Sequence, residues 1–170
     1  MKRLGVVFGF LLIVSSVFSV SIAASVTGAV GSVNFVHDVE HPKILLLSSL
    51  VDHAELLAGA ASEEVLVLRY DPRETSLEEL EGRIRETLRG RKAASIAFAT
   101  HDHGENKFYL TSSETVSLPS TLANEAQREF WRKMGSLITD DGRVDLLACN
   151  LASGDNGKLL LASLEEAPTS

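Results

Sequence analysis

The sequence predicts an α/β protein, specifically a three-layer α/β/α sandwich built on a mostly parallel sheet. Short apolar runs of strand length alternate along the chain with segments of helical periodicity. Strand–helix–strand units connect parallel strands by right-handed crossovers, which places helices on both faces of the sheet. The 170 residues are 45% hydrophobic and 23% charged. This composition indicates one globular domain with an adequate core.

The first 24 residues have the pattern of a secretory signal peptide. Lys2 and Arg3 precede an apolar run from Leu4 to Val20, and small residues suited to cleavage follow it. A membrane anchor is the alternative, because about 20 apolar residues can also span a bilayer. Serines within the run favour cleavage. We therefore expect residues 1–24 to be removed, no stable membrane span afterwards, and a protein that is secreted or on the cell surface.

Charge and cysteine content limit the partners. The formal net charge is −7, and loss of the two N-terminal cations, Lys2 and Arg3, takes it to −9. Because phosphate neutralisation needs clustered Lys and Arg, we expect no nucleic-acid partner. Cys149 is the only cysteine, so an intramolecular disulfide is excluded. Its thiol is then a small buried group, an intermolecular linker or a reactive group.

The domain is predicted to begin at residue 43. Residues 25–42 are rich in Gly, Ser and Val without helical periodicity, and we expect a flexible leader there. The continuous apolar run Lys43–Ser49 predicts a strand buried on both faces. A short helix at Asp52–Ala61, with Leu56 on its apolar face, and a second strand at Val65–Leu68 follow.

Capping signals place the next helix. Ser76 and Glu79 form a capping box, and Gly90 is a natural C-terminal position. Asp140–Gly142 has turn chemistry. A third strand is predicted at Ser95–Ala99 and a hairpin at Lys107–Leu118. A long helix containing Leu122 is predicted at Ser120–Ile138, and a fourth strand at Val144–Ala148. The final helix, which contains Leu159, is predicted at Asn156–Glu166.

Two of these strands end at residues able to do chemistry. The third is followed by His103 and Gly104, and the fourth by Cys149. If these strands are parallel neighbours, both groups emerge at one sheet edge, where α/β folds bind ligands. A thiol attacks a carbonyl as the thiolate, so His103 as base and Cys149 as nucleophile would form a cysteine hydrolase site. Taken singly, each has a plainer explanation, a polar loop histidine and a core cysteine.

Other groups near the histidine have candidate supporting roles. The backbone N–H groups of Gly104 and Cys149 are candidate donors to an oxyanion. Asp102 is a candidate to orient an imidazole, and the sequence leaves open whether that is His101 or His103.

A metal site is the alternative for the same stretch. Thr100–His103 resembles the opening of the metallo-β-lactamase motif, but no histidine follows His103 to complete a zinc site. We therefore expect neither a metal nor another cofactor.

These two blocks resemble known proteins. The strand ending in Asp102-His103-Gly104 and the strand ending in Ala148-Cys149 resemble the signature blocks of caspase-like cysteine peptidases, the group that includes legumains and gingipains. The resemblance implies a caspase-like, Rossmann-like sheet. It also implies that His103 is the base, that Gly104 donates to the oxyanion and that Cys149 is the nucleophile. The implied substrate is a peptide or protein, including the chain itself.

A closer resemblance covers nearly the whole mature chain. The chain is similar to bacterial domain of unknown function 4347, found in large exported proteins with cadherin-like or calcium-binding repeats. The blocks that carry this similarity are Ile44–Ser49, Val51–Ala61, Val65–Leu68, the His-Gly block, Trp131–Leu137 and Leu146–Gly154. Members continue beyond the last helix into another strand, so we expect a sheet truncated at its C-terminal side. Members also more often have Ser before the His, where this chain has Asp102.

Two hypotheses result. The first is an exported caspase-like cysteine peptidase domain, with a dyad of Cys149 and His103 and with self-processing as one activity. The second is a non-catalytic module of a secreted or cell-surface adhesion protein. The reactivity of Cys149 distinguishes them.

Overall fold

The computed structural model describes residues 3–5, 40–101, 104, 106–148 and 154–166. Within these residues the chain forms an α/β sandwich, as predicted. The elements in chain order are β1 (Arg3–Gly5), β2 (Lys43–Ser48), α1 (Ala54–Ala60), β3 (Val65–Tyr70), α2 (Leu77–Leu88), β4 (Ala93–Ala99), β5 (Phe108–Tyr109), β6 (Thr115–Val116), α3 (Leu118–Ala123), α4 (Glu125–Leu137), β7 (Ile138–Leu147) and α5 (Gly154–Glu166).

Five of the described strands form one sheet in the order β1-β7-β4-β2-β3, and each pair of adjacent strands in it is parallel. Strand side chains alternate between the two faces. One face carries Ile44, Leu46, Ile96, Phe98, Val144 and Leu146, which pack with residues of α2, α4 and α5 in one hydrophobic core. We call this the core face. The opposite face, with Leu45, Val67, Ala97, Asp145 and Leu147, is called the second face.

The predicted turn at Asp140–Gly142 is wrong, because these residues lie inside β7. The pairing of β4 with β7 is irregular there, jumping from Ala93–Ile138 to Ser95–Arg143. The extra residues form a bulge, in which a strand can take up turn-forming residues without ending. A Cβ at Gly142 would lie 2.9 Å from Thr139 Oγ1 and 3.0 Å from Ile138 Cβ. The close approach requires glycine.

Helix packing differs from the sequence pattern at three positions. Leu56 in α1 is 71% exposed, and α1 contains no buried residue. Leu122 and Leu159 were also predicted to face inward and are exposed. The long helix expected after residue 118 is two helices, because the Asn124 side chain accepts from the Gln127 N–H and starts a new helix at Glu125. The capping box of Ser76 and Glu79 is present as predicted.

The N-terminal strand β1 lies in the stretch that the sequence predicts to be a signal peptide. The signal peptide itself stays a prediction. In this structure Arg3–Gly5 pairs with Arg143–Asp145 at the edge of the sheet. The predicted leader, residues 25–42, lies outside the described residues up to residue 39. Within the described part of the chain, no helix has the length and apolar character needed to cross a membrane.

Candidate functional site

The strands that precede the two predicted reactive residues are parallel neighbours. β4 pairs with β7 in a register that aligns Ala99 with Leu147. This last pair is closed by the N–H of Thr100, which donates to the carbonyl oxygen of Leu147 at 3.3 Å. The chain after β4 and the chain after β7 therefore start side by side at the carboxyl edge of the sheet. This edge is the usual ligand-binding position in open α/β folds.

Not all of the predicted site residues lie within the described structure. Asp102, His103 and Cys149 fall outside the described residues, directly after the two strand ends. His101, the other candidate imidazole, is exposed. Ala148, the last described residue before Cys149, packs against the hydrophobic core. The strand ends are thus observed to meet, while the dyad itself remains a prediction.

Gly104, predicted as an oxyanion donor, adopts a left-handed backbone with φ of +71°. A Cβ at this position would meet no atom within 4 Å, so a steric clash is not the reason why a glycine occupies it. The positive φ does explain it, because L-residues with a Cβ adopt this conformation at a cost. The carbonyl of Gly104 accepts from the N–H of Lys107 at 3.1 Å, and Asn106 is also left-handed. The chain from Gly104 to Lys107 therefore forms a tight turn.

A hairpin fixes the far end of this turn. β5 and β6 pair antiparallel, as the sequence predicted, and Phe108, Leu110 and Val116 are buried in the core. Gln127 on α4 is buried, and its amide nitrogen donates to Glu114 Oε2 at 2.6 Å and to the Thr115 carbonyl at 3.1 Å. These bonds anchor the hairpin to α4. The chain that leads from the turn at Gly104 into the hairpin is therefore held at its C-terminal end.

Sequence reasoning missed a charged pair at the same edge. Asp71 follows β3, and its carboxylate accepts from Arg73 Nη2 at 2.7 Å, from Arg73 Nε at 3.0 Å and from the Arg73 backbone N–H at 2.9 Å. The hydrogen bonds from Arg73 and, less strongly, from Ser49 lower the pKa of Asp71 to about 2. The signal was present in the sequence, since Asp71 follows an apolar strand as directly as Cys149 does.

A second missed group lies within β7. Asp145 is buried on the second face, in register with Ala97 of β4, and its carboxylate accepts from Arg143 Nε at 2.9 and 3.0 Å. Burial raises the pKa of Asp145, and the ion pair with Arg143 partly offsets this effect. An alternating strand pattern predicts a solvent-facing position for this aspartate, so the sequence contained no signal of its burial.

The fold defines the protein as an α/β sandwich in which two neighbouring parallel strands lead into one candidate site. The chain belongs to the family described as domain of unknown function (DUF4347), which it matches over residues 44–169. The match begins at the second residue of β2. No curated protein and no solved structure matches the chain.

Proposed function

We propose that this chain is a caspase-like cysteine peptidase domain in which His103 activates Cys149. The observation that carries the proposal is the parallel pairing of β4 with β7 up to Thr100 and Leu147. His103 is three residues beyond Thr100, and Cys149 is two residues beyond Leu147. Both positions are therefore within short reach of one sheet edge, because one residue of extended chain spans at most about 3.6 Å.

The chemistry follows from the residue types. His103 takes the proton of the Cys149 thiol, and the thiolate attacks the carbonyl carbon of a peptide bond. The oxyanion accepts from the backbone N–H groups of Gly104 and Cys149. The protonated imidazole then gives its proton to the leaving amine as the C–N bond breaks. Water, deprotonated by the same imidazole, hydrolyses the thioester and regenerates the thiol.

The left-handed backbone of Gly104 supports its part in this mechanism. It turns the chain directly after His103 without placing a side chain at the turn. An N–H group that must reach an oxyanion benefits from such an unobstructed backbone. The hairpin anchored by Gln127 holds this turn, which limits how far the N–H of Gly104 can move.

Covalent capture tests the proposal whichever peptide sequence the site prefers. The protein is incubated with a mixture of peptides that carry a thiol-reactive acyloxymethyl ketone, and labelled protein is identified by mass. We expect a single adduct on Cys149, loss of the adduct in Cys149→Ser and slower formation by at least about tenfold in His103→Ala.

His101→Ala is the matched control, because this imidazole is two residues away and exposed. It should leave the rate of capture unchanged. The proposal is wrong if His103→Ala and the wild-type protein capture the reagent equally fast. That result would leave the second hypothesis, a non-catalytic module of an adhesion protein.

A further inference from the structure

The strand β3 lies at one edge of the five-stranded sheet, where β2 is its only neighbour among the described strands. Its first four residues, Val65–Leu68, are apolar, and all four are half-buried. In the adjacent strand, by contrast, Ile44, Leu46 and Leu47 are buried. An apolar strand therefore lies along the open side of the sheet with part of its surface in contact with solvent.

This part of β3 lacks the features that usually protect a sheet edge, which are charged side chains, proline and bulges. The stretch Val65–Leu68 contains no charged residue and no proline. Its pairing with β2 runs from Lys43–Val65 to Ser48–Tyr70 without a shift in register, so no bulge interrupts it. An apolar edge of this kind is a template for pairing with another chain.

The backbone groups that β3 offers at this edge belong to alternate residues. Successive residues of a strand in a parallel pair direct their N–H and C=O groups to opposite sides. The carbonyl oxygen of Tyr70 accepts from the N–H of Ser49 at 2.8 Å, so Tyr70 is one of the residues that bond toward β2. Counting back along β3, the residues whose N–H and C=O groups point to the open side are Val65, Val67 and Arg69.

Two of these outward groups already have partners in the fold. The N–H of Val65 donates to the carbonyl oxygen of Ser62 at 2.9 Å. The carbonyl oxygen of Arg69 accepts from Arg83 Nη2 of α2 at 2.6 Å. Among the described residues, no partner is seen for the other four groups, which are the C=O of Val65, the N–H and C=O of Val67 and the N–H of Arg69.

This pattern of donors and acceptors is complementary to itself. In an antiparallel pair of β3 strands with a two-fold axis at Val67, each Val67 lies opposite Val67 of the second copy, and Val65 lies opposite Arg69. Residues opposite each other at such positions exchange two N–H···O=C bonds. The two Val67 residues exchange both of theirs, and the N–H of Arg69 donates to the C=O of Val65.

The groups that are occupied within the chain fit the same register. The second bond of the outer pair would join the N–H of Val65 to the C=O of Arg69, and these are the two groups that Ser62 and Arg83 already satisfy. The ladder between the two copies therefore ends without an unpaired group. An axis at Leu66 or Leu68 would instead place an occupied group at the centre of the ladder.

We propose that two copies of this chain associate through β3, with the strands antiparallel and the two-fold axis at Val67. The two sheets then form one continuous sheet, in which Leu66 lies opposite Leu68 of the second copy. Apolar side chains that are half-buried in one copy gain cover from the other. Because the pairing uses the β3 edge of both copies, association through this edge stops at two.

Cysteine substitution tests this register in the full chain, in a Cys149→Ser background so that the proposed nucleophile takes no part. Opposite residues of a hydrogen-bonded pair have Cα atoms about 5.5 Å apart, within the range that a disulfide spans. We expect Val67→Cys to form a disulfide between two copies under mild oxidation. Val65→Cys is the matched control on the same face of β3. Its two copies lie about 14 Å apart along the paired strands, so it should stay unlinked.

Charge at the axis supplies a second measurement, by sedimentation. Val67→Lys and Val67→Glu each place two like charges opposite each other, and each should weaken self-association at least about tenfold relative to the unsubstituted chain. An equimolar mixture of the two variants should restore the dimer, since opposite charges then meet at the axis. Neither measurement depends on peptidase activity.

Three results would overturn the inference. The first is an unsubstituted chain that sediments as a monomer at every concentration. The second is equal cross-linking of Val65→Cys and Val67→Cys, which would indicate random collision. The third is a mixture of Val67→Lys and Val67→Glu that contains no more dimer than either variant alone.

Discussion

The main-chain N–H of Thr100 donates a hydrogen bond to the carbonyl oxygen of Leu147, joining β4 and β7 one step past the end of β4. This bond brings together two parts of the chain that are remote in sequence, one leading to the Asp-His-Gly block and the other to the lone cysteine. It is the structural basis for treating both blocks as one site.

The turn after His103 should depend on glycine. Gly104→Ala forces a Cβ into the left-handed region, so we expect the free energy of unfolding to fall by about 1–2 kcal/mol. Urea unfolding measures this change. The control is Gly82→Ala, in the middle of α2 with open space around its Cα, which should raise the free energy of unfolding by about 0.5–1 kcal/mol. Equal effects of the two substitutions would contradict the assigned role of the positive φ.

The bulge in β7 should be intolerant of any side chain at residue 142. Gly142→Ala brings a Cβ within 3.0 Å of Thr139 and Ile138, and we expect a loss of about 1–3 kcal/mol in the free energy of unfolding. The cause is steric, since this glycine is not among the residues with positive φ. A crystal structure or backbone chemical shifts should show the displacement confined to residues 138–143. An unchanged stability would mean that the bulge opens without cost.

The amide of Gln127 should stabilise the hairpin beside the site. Gln127→Ala removes two donors to Glu114 and Thr115 and leaves these acceptors without that partner, so we expect a loss of about 2–3 kcal/mol. Exchange of the hairpin amides at residues 108–116 should rise with it. Arg132→Ala on the exposed side of the same helix should change stability by less than about 0.5 kcal/mol. Comparable losses in both variants would rule out a specific role for the buried amide.

Asp71 should make stability depend on acid pH. Its folded-state pKa, about 2, is below its ordinary value, so the ion pair with Arg73 stabilises the fold above about pH 4. This contribution is lost as the pH falls from about 4 through about 2, because the unfolded chain then binds the proton more readily. Asp71→Asn should therefore lower the thermal midpoint at neutral pH and have almost no effect near pH 2.

Arg73→Gln supplies the control for this pair. In that background, Asp71→Asn should cause little further loss at neutral pH, since the main partner of the carboxylate is already gone. An undiminished loss would assign the effect to another contact of Asp71, such as the one with Ser49.

The four apolar runs and the capping box were sufficient to predict β2, β3, β4, β7 and α2, because burial on both faces of a parallel sheet leaves a continuous apolar signal. The prediction failed where local chemistry and tertiary packing disagree. Asp140–Gly142 has the residues of a turn, yet a bulge keeps them within β7. Leu56, Leu122 and Leu159 have the spacing of buried positions but face solvent.

At the candidate site, too, some features could be predicted from the sequence and others could not. The alternation of strands and helices predicted a parallel sheet but left open whether the strands that lead to His103 and Cys149 are neighbours, and the structure shows that they are. The position of Asp71 directly after an apolar strand was visible in the sequence, but its ion pair with Arg73 was not, because that contact depends on a turn geometry that the sequence pattern does not specify. The pairing of Arg3–Gly5 with β7 was also unforeseen, since positive charge followed by an apolar run is typical of a targeting segment.

The rate of Cys149 alkylation by iodoacetamide as a function of pH, in the wild-type protein, His103→Ala and His101→Ala, tests the proposed site most directly. We predict that the wild-type and His101→Ala rates remain high well below the ordinary thiol pKa of about 8.5, and that His103→Ala shifts the profile to that ordinary value. A wild-type profile centred near the ordinary value, unchanged by His103→Ala, would contradict the claim that these two side chains form one site.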